Sequence, residues 1–525
     1  MFRWDNVQTS FYNYDELWDI LIPENSVYRL FREFAPILVV PEDLEGLYSR
    51  DNGRPSLFAL RMTLACLLQQ MHAASDRDME QQTQVNLEFK YALGMGVDEP
   101  GIDAVSLFVH RQRLIHQNLD TLLLQRFIYL LYCLGILTGK EPFLTDTTHS
   151  ISPISEQSSI SLIQQAVTFV VRRLKKKGHI CQLPNDLRKP LTQEKRWEAS
   201  SLPDYIRVID FLLQWFEQNP DLLEDDVLKS RVCCLARIMK ERVIRHADST
   251  VTFADTSTVK DMVISAYDVD ARFGCKGKIH WRGYKIGSIQ IGKTGFIAAS
   301  DVIAANQHDG DTLAPLIDSL LLSPVEEPTV IGDSHYGAVE QRLEMQAREV
   351  KVIAPAARTP EGPTIEEEGF QVSDDLSRLT CPQGHDCGRS YEVKYGMQFH
   401  IRNTKKSPCQ TCPLTSTCLG GKDRRTVFVH KHHAIISQAR REENTDLFKA
   451  SMNLRKQIEA KQNELVNYYG LRRTQYRGTR NLAYVARMRS LGANFRRLQR
   501  LLNSPKHAYC IDKDTAKKAV WSHAA

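Results

Sequence analysis

The spacing of apolar residues divides the chain into helical and strand-rich stretches. Residues 1–140 carry apolar side chains at intervals of three and four, which is typical of amphipathic helices. Ser75 and Asp76 interrupt this pattern and predict a helix cap or a turn. After a second turn, another predicted helix carries Arg111 and Arg113. This arrangement is compatible with a helix-turn-helix, but a helical bundle used for packing or dimerisation shows the same pattern.

Short apolar runs that end in an acidic residue indicate buried strands. EPFLTDTTHS places Asp146 after such a run, and EEPTVIGDSHYG does the same with Asp333. Residues 276–303 form two predicted strands joined by a Gly-Lys-Thr-Gly turn, and helical and strand patterns alternate after them. Residues 155–248 return to helical spacing and separate the two strand-rich parts. We therefore predict an α/β fold with a mixed sheet and a helical insertion.

These changes of pattern predict seven segments. They are a helical N-terminal domain (1–140), the first part of a catalytic domain (141–154), a helical insertion (155–248), the catalytic domain continued (249–371), a Cys-rich insert (372–425), a catalytic helix with basic helices after it (426–510) and a tail (511–525).

Composition describes an ordinary globular protein. Of the 525 residues, 42% are hydrophobic and 25% charged, which is enough apolar material for two or three folded cores. The start of the chain lacks the apolar segment of a signal peptide, and no apolar run is long enough to cross a membrane. We therefore expect a cytoplasmic protein with reduced cysteines and no membrane partner.

The net charge of +5 hides two basic concentrations. Ten Lys and Arg residues and no Asp or Glu occur from Tyr469 to Lys506, in a stretch that keeps helical spacing. The segment DARFGCKGKIHWRGYK mixes basic side chains with His280, Trp281 and Tyr284. Basic groups neutralise phosphates and aromatic rings stack on unpaired bases, so both regions favour a nucleic-acid partner over a solvated basic surface. The basic residues singled out are Arg272, Lys276, Lys278, Arg282, Lys285, Arg472, Arg473, Arg477 and Arg480.

A cluster of cysteines predicts a structural zinc site. TCPQGH and CQTCPLTSTC supply Cys381, Cys409, Cys412 and Cys418, and the C-x-x-C spacing lets two thiolates reach one tetrahedral ion. His385 or Cys387 could replace one of these ligands. The alternative is a set of free thiols in an exposed loop.

Three carboxylates are candidates for catalysis. Asp146 and Asp333 end predicted strands, and Glu459 lies on a predicted helix that Gly470 would close. Carboxylate oxygens are the ligands of Mg²⁺, and a pair of such ions can assist the attacking and the leaving oxygen of a phosphodiester. Two rivals remain: Glu464 for Glu459, and Asp255 for Asp146.

Four segments in this order resemble the DDE transposases of bacterial insertion sequences. They are FLTDTTHS, YDVDARFGCKGKIHWRGYKIG, VIGDSHYG and RKQIEAKQNELVNYYGLRRTQYRG. The chain is most similar to the branch with a long helical insert after the first Asp and a Cys-rich insert before the Glu. The resemblance implies a ribonuclease H-like catalytic domain with Asp146, Asp333 and Glu459 as its acids, together with two Mg²⁺ or Mn²⁺ ions.

The resemblance also implies a reaction and its partners. Water would cleave a phosphodiester at each terminal inverted repeat of a mobile element, and the freed 3′-hydroxyl would attack target DNA. Because two DNA ends must meet, a homodimer or a larger assembly on double-stranded DNA is expected. Arg455 matches the Arg that precedes the Glu by four residues, but Met452 and Val466 replace the family's usual Tyr and Lys. A non-catalytic DNA-binding descendant and a nuclease that only hydrolyses DNA therefore remain as alternatives.

Overall fold

A computed structural model shows a mixed α/β protein with a helical N-terminal region. It describes residues 15–48, 58–155, 157–192, 197, 202–248, 250–255, 261–320, 324–356, 365–405, 407–504 and 513–524. Lys506 of the basic stretch and Cys510 lie outside the described residues.

The N-terminal region is helical, as predicted. Ser75 caps one helix, because its side-chain oxygen accepts a hydrogen bond from the amide of Asp78 at 3.1 Å. The helices are α1 (Asp15–Leu21), α2 (Val27–Phe34), α3 (Pro41–Glu45), α4 (Ala59–Met71), α5 (Asp76–Val85), α6 (Leu87–Ala92), α7 (Ala104–His116) and α8 (Leu119–Cys133).

The rest of the described chain contributes thirteen strands and eleven further α-helices. The strands are β1 (Phe143–Ile151), β2 (Val243–Arg245), β3 (Val251–Phe253), β4 (Arg272–Lys276), β5 (Ile279–Ile291), β6 (Phe296–Ala304), β7 (Thr329–Ile331), β8 (Lys351–Ile353), β9 (Gln371–Val372), β10 (Leu379–Thr380), β11 (Ser390–Val393), β12 (Gly396–Arg402) and β13 (Arg424–His430). The helices are α9 (Ser159–Lys176), α10 (Asn185–Thr192), α11 (Leu202–Gln218), α12 (Asp226–Arg242), α13 (Leu313–Asp318), α14 (Val339–Gln346), α15 (Thr415–Leu419), α16 (His433–Glu443), α17 (Asp446–Asn467), α18 (Thr479–Leu502) and α19 (Lys513–Ala524).

Six strands form the central sheet. Its path is β4-β5-β1-β7-β8, and β6 also pairs with β5. The predicted hairpin of β5 and β6 is confirmed, with the turn at Gly292–Thr294. β1 runs antiparallel to β5 and parallel to β7, which in turn is parallel to β8. Antiparallel strands on one side and parallel strands on the other make the sheet mixed, as the sequence predicted.

The first strand is longer than its apolar run. Asp146 was expected at the carboxyl end of the strand, but β1 continues to Ile151. The hydroxyl residues after Asp146 remain in the strand because β5 pairs with β1 along its whole length, from Phe143 opposite Ile291 to Ile151 opposite Gly283. Pairing with a long neighbouring strand overrides the weak apolar character of this segment.

The helical insertion has a core of its own. Helices α9 to α12 bury Val170, Ile209, Leu212 and Leu235 against one another. α12 ends at Arg242, and the two apolar residues after it belong to β2, which pairs only with β3. The insertion therefore leaves the central sheet after β1 and returns through this small hairpin.

Helix α18 joins the sheet to the N-terminal helices. Asn494 accepts a hydrogen bond from the amide of Ile297 on β6 and donates one to its carbonyl, both at 2.8 Å. On its other side α18 approaches α4, where a Cβ on Gly492 would lie 2.7 Å from the Cα of Met71. Glycine at position 492 thus permits a helix contact that any side chain would obstruct. The sheet, α18 and α4 share one continuous core.

Candidate active site

Asp146 lies on β1, and Asp333 follows the neighbouring parallel strand β7 by two residues. Leu144 of β1 is opposite Ile331 of β7, and each Asp stands two residues further along its segment. Because each Asp lies two residues beyond one of these paired residues, the two acids lie at about the same height along the sheet. The negative charge of Asp333 acts on Asp146 and helps to raise its pKa.

The Asp146 carboxyl group is held in a partly buried position. Burial is the main cause that raises its pKa from 3.8 to about 6, and the charge of Asp333 adds to the shift. Three influences oppose this shift: the Thr147 amide, which donates to Oδ1 at 2.9 Å, and the positive charges of Arg455 and Lys276. Two carboxylates that repel each other in a buried place would be stabilised by a cation.

Helix α17 brings the third acid to the same place. Gln462 donates from Nε2 to the carbonyl oxygen of Asp146 at 2.7 Å. One turn earlier, Ile458 is fully buried between Leu144, Ile331 and Ile353 of the sheet. These two contacts fix the orientation of α17 and therefore the position of Glu459.

Arg455 links the acids of the strand and the helix. Its guanidinium donates to Glu459 Oε1 at 2.7 Å and lies 3.9 Å from Asp146 Oδ2. Glu459 is more than half exposed and can change rotamer without moving the helix. Among the described residues, no set of three or more His, Cys, Asp or Glu side chains is arranged as a metal centre. The three carboxylates share one region, and Glu459 is turned towards Arg455.

The two departures from the family pattern occupy packed positions. Met452 lies against the apolar cluster under α17, and Val466 is 4% exposed. A lysine at position 466 would have to bury its charge or displace its neighbours. Val466 therefore serves packing in this chain.

The two rival acids lie elsewhere. Glu464 forms an ion pair with Lys461 at 2.6 Å. Asp255 follows β3, which belongs to the separate two-stranded sheet. Neither residue appears among the charges that act on Asp146.

Sequence reasoning missed an acid next to Asp146. Asp309 accepts a hydrogen bond from the Thr147 hydroxyl at 2.7 Å and an ion pair from Lys285 at 2.6 Å, and these contacts lower its pKa against the opposing effect of burial. The segment NQHDGD carries no apolar periodicity that would place it on the sheet. Its acids follow β6, however, and this position at a strand end is the signal that could have singled it out.

A histidine pair lies beside Asp333. The amide of His335 donates to Asp333 Oδ1 at 2.9 Å, and its Nδ1 lies 3.2 Å from Nε2 of His308. Nδ1 of His308 accepts from the amide of Gly310 at 3.1 Å. When His308 is neutral its proton is therefore on Nε2, so it donates to His335.

The basic residues around β4 and β5 divide into internal and surface groups. Arg272 is buried, and its Nε donates to Asp261 at 2.6 Å, so it serves the fold. Lys285 is held by Asp309. Lys276 and Lys278 are exposed at the end of this hairpin, and the Arg282 guanidinium lies over the ring of Phe273 at 5.8 Å.

The arginines of the loop after α17 and of the start of α18 also divide into an internal group and an exposed group. Arg472 donates to the carbonyl oxygen of His149 at 2.7 Å, and Arg480 forms an ion pair with the fully buried Asp120. Arg473 and Arg477 are exposed. Of the four arginines predicted to bind DNA in this loop, two therefore have structural partners and two face solvent.

The two arginines that suggested a helix-turn-helix also have internal partners. Arg111 is buried and donates from Nη2 to Asp76 at 2.8 Å. The Arg113 guanidinium lies 4.5 Å from the ring centre of Tyr48. Direct DNA contact by this helix stays a prediction, and these two residues do not supply it.

The Cys-rich insert folds around a small core. β11, β12 and β13 form a three-stranded sheet that the polar sequence did not predict. A cavity of about 630 Å³ is lined by all five cysteines of the cluster and by His385. Burial raises the pKa of Cys387 to about 12, and the negative charges that Cys381, Cys418 and Cys409 can carry raise it further. Cys387 thus lies close to three of the four predicted zinc ligands.

Comparison with known families decides the wider class. A model described as a transposase DDE domain matches residues 380–499, and one described as a transposase domain (DUF772) matches residues 16–113. Together the two matches indicate the family of insertion-sequence DDE transposases. No curated protein and no solved structure matches it.

The matched families indicate the general role of this chain. A DDE domain implies an enzyme that cleaves and transfers DNA, and such enzymes generally use divalent metal ions. The DDE match includes Glu459 and the cysteine cluster but stops short of Asp146 and Asp333. None of the described helices has the length and apolar character needed to span a bilayer.

Proposed function

We propose that this transposase binds the terminal inverted repeats of a mobile element, cleaves DNA there and joins the 3′-hydroxyl ends to target DNA. One observation carries the proposal: Asp146 on β1 feels the charge of Asp333, which follows the parallel strand β7, and α17 brings Glu459 and Arg455 to the same place. The strand directions of the central sheet support a ribonuclease H-like catalytic domain.

The three carboxylates fit hard divalent cations. Their oxygens are the donors that Mg²⁺ and Mn²⁺ prefer, and the mutual repulsion of Asp146 and Asp333 favours a positive ion. Asp146, Asp333 and, after turning from Arg455, Glu459 would hold two such ions. Bound there, the ions would supply charge stabilisation to the phosphoryl group and acidify the attacking water or hydroxyl.

The protein's own groups position these acids. The Thr147 amide fixes one oxygen of Asp146, and Gln462 ties α17 to the carbonyl of the same residue. Arg455, released from Glu459, can donate to a phosphate oxygen of the DNA strand. Lys276, Lys278 and Arg282 at the end of the β4–β5 hairpin, together with Arg473 and Arg477, supply further phosphate contacts.

From the cysteine spacing we also propose that the Cys-rich insert holds a structural zinc ion. Thiolates are the ligands that zinc prefers, and a closed four-ligand site holds a fold together without taking part in chemistry. Cys381, Cys409, Cys412 and Cys418 are the proposed ligands, and His385 or Cys387 could replace one of them. Cys412, from the sequence spacing, and Cys387, from its buried position among the others, compete for the fourth place.

Two substitutions test the catalytic assignment. Asp146→Asn and Asp333→Asn should each abolish cleavage of a labelled duplex that carries the ends of the flanking element, with Mg²⁺ or Mn²⁺ present. DNA binding should stay within a few fold, because neither carboxylate attracts phosphate. Normal cleavage by either variant would refute the assignment.

A non-catalytic DNA-binding role is the second candidate. Val466 is buried where the family has a lysine, which removes one expected backbone contact. The same cleavage assay distinguishes a transposase from a non-catalytic descendant, since the descendant would bind the duplex and leave it intact. A nuclease that only hydrolyses would cut the duplex but fail to join it to added target DNA. Assembly as a dimer and a nucleoid location are part of the proposal, because two ends must meet on DNA.

A further inference from the structure

A polar groove separates the N-terminal helices from the loop that follows the catalytic helix. It encloses about 800 Å³. One wall is the turn before α5, the second is α7, and the third is the loop of residues 470–478 with the start of α18. The three walls come from distant parts of the sequence, so only the folded chain creates the groove.

The groove carries two arginines that serve no internal contact with an acid. Arg473 and Arg477 are exposed, and among the described residues no carboxylate pairs with either guanidinium. Arg477 lies over the ring of Tyr267 at 5.1 Å. The acids of the region are already engaged: Asp76 pairs with Arg111, Asp78 accepts from the hydroxyl and amide of Ser75, and Asp270 accepts from the amide and hydroxyl of Thr479. The available charge is therefore positive.

Polar and aromatic side chains surround these arginines. Phe108 is 47% exposed on the wall formed by α7, which is a large fraction for a phenylalanine. Gln112, Gln475 and Asn481 also line the groove and offer amide donors. Arginines, amides and one exposed ring form the combination that binds a sugar-phosphate strand.

The arginine loop is fixed rigidly to the catalytic strand. The amide of Ile151, the last residue of β1, donates to the carbonyl of Arg472 at 2.8 Å. The Ser150 hydroxyl donates to the carbonyl of Leu471 at 2.7 Å. On the opposite side, Gln70 of α4 donates to the hydroxyl of Tyr476 at 2.9 Å. Because both sides are anchored, the distance from the groove to Asp146 is set by the fold.

The distance from Asp146 to the point where the loop is anchored can be read along β1. Ile151 lies five residues beyond Asp146, which is about 17 Å at about 3.3 Å per residue. B-DNA rises about 3.4 Å per base pair, so the same length spans about five base pairs. Both family matches also meet here, since residues 73–78 and 108–112 fall in one and residues 470–481 in the other.

We infer that this groove binds the DNA backbone about five nucleotides from the bond that is cut. Arg473 and Arg477 neutralise consecutive phosphates there, and the contact sets how far the duplex slides into the catalytic site. The inference rests on the proposed transposase function and adds a position on the DNA to it.

Replacing single DNA phosphates by uncharged methylphosphonates tests where the groove contacts the DNA. Methylphosphonates are placed one at a time along a duplex that carries an element end. A methylphosphonate about five nucleotides from the cleaved bond should weaken binding by the wild-type protein several-fold. The double variant Arg473→Gln/Arg477→Gln should bind more weakly overall and show no added loss at that position. Arg207→Gln, an exposed arginine of α11, is the matched control and should keep the wild-type profile.

Salt dependence gives an independent readout on a short duplex of arbitrary sequence. Each lost phosphate contact lowers the slope of log affinity against log salt by about 0.9, so the double variant should lose about 1.8. If wild type binds and cuts DNA but the double variant keeps both its slope and its methylphosphonate profile, the inference is wrong and the proposed function stands. If wild type neither binds nor cuts, the proposed function falls and the inference falls with it.

Discussion

At the scale of single residues, the ionised Asp146 that the proposed function requires lowers the stability of the fold. Its carboxyl group is partly buried beside Asp333, and its pKa is raised from 3.8 to about 6. The folded chain therefore holds this proton more tightly than the unfolded chain does. The free energy of unfolding should fall as pH rises between these two values, because the ionised group is worse accommodated in the fold.

The first prediction is that Asp146→Asn makes the metal-free protein more stable at pH 7 while abolishing cleavage. The gain should be on the order of 1–3 kcal/mol, since each pKa unit corresponds to about 1.4 kcal/mol. The gain should shrink as pH falls from about 6 towards 4, where the wild-type carboxyl is protonated. Urea unfolding at several pH values measures it. Asp210→Asn, at a half-exposed position on α11, is the control. A loss of stability that does not depend on pH would contradict the account.

The sequence could predict where acids occur but not what each basic residue does. Asp146 and Asp333 were marked by the apolar runs before them, and the structure brings them together. Arg272 and Arg480 were predicted to bind DNA because they lie in basic segments, yet Arg272 is paired with Asp261 and Arg480 with Asp120, which is distant in sequence. Asp309 was missed because its hydrogen bond with Thr147 joins a short helical turn to a strand that is distant along the chain.

At the scale of elements, α17 packs on the sheet through an apolar cluster centred on Ile458. Ile458 is fully buried between Leu144, Ile331 and Ile353, and it lies directly before Glu459 in sequence. The packing that holds the helix is therefore the packing that positions the acid.

The second prediction concerns this contact. Ile458→Ala should cost about 2–4 kcal/mol and Ile458→Val about 1 kcal/mol, because each leaves a cavity in a closed cluster. The alanine variant should also lose cleavage, since α17 no longer holds Glu459 in place. Hydrogen exchange along α17 would report the loosening. Lys449→Ala, at a mostly exposed position of the same helix, should change neither property. Unchanged exchange in Ile458→Ala would argue against the positioning role.

The Cys-rich insert is the element that sequence described least well. Its cysteine spacing suggested zinc, but the β11–β13 sheet was missed because its strands are short and largely polar. The strands are specified by their mutual pairing and by a small core that contains Phe399 and Val429.

The third prediction is that each chain holds about one zinc ion in this insert. Cys409→Ser should reduce the bound zinc and destabilise the insert, because a tetrahedral site loses a ligand. Elemental analysis after dialysis gives the zinc content. Comparing Cys412→Ser with Cys387→Ser identifies the fourth ligand, and Cys133→Ser, at an exposed thiol far from the cluster, is the control. Wild-type protein without zinc, together with a fully folded Cys409→Ser, would remove the claim.

At the scale of the whole molecule, the N-terminal helices and the sheet form one body. Asp120 of α8 is fully buried and forms ion pairs with Arg480 and Arg487 of α18. Arg487 continues to Asp301 of β6 at 2.8 Å. The periodicity of the sequence predicted separate segments, but it carries no information on such long-range ion pairs.

The fourth prediction is that Asp120→Asn destabilises the whole protein by about 3–5 kcal/mol, because Arg480 loses its carboxylate partner and Arg487 keeps only Asp301. Thermal unfolding should remain a single step at a lower temperature, since the helices and the sheet share the core. Asp301→Asn removes only the outer, more exposed partner of Arg487 and should cost much less. Separate melting of the N-terminal helices would contradict a shared core.

The most direct test of the central claim is cleavage of a labelled duplex carrying the ends of the flanking element, with Mg²⁺ or Mn²⁺. Wild type should nick the duplex, Glu459→Gln should bind without cutting, and Glu464→Gln should behave as wild type, because Glu464 is held by Lys461 on another part of the helix. Adding target DNA should then yield joined products. Binding without cutting by wild type, or equal cutting by wild type and Glu459→Gln, would contradict the assigned active site.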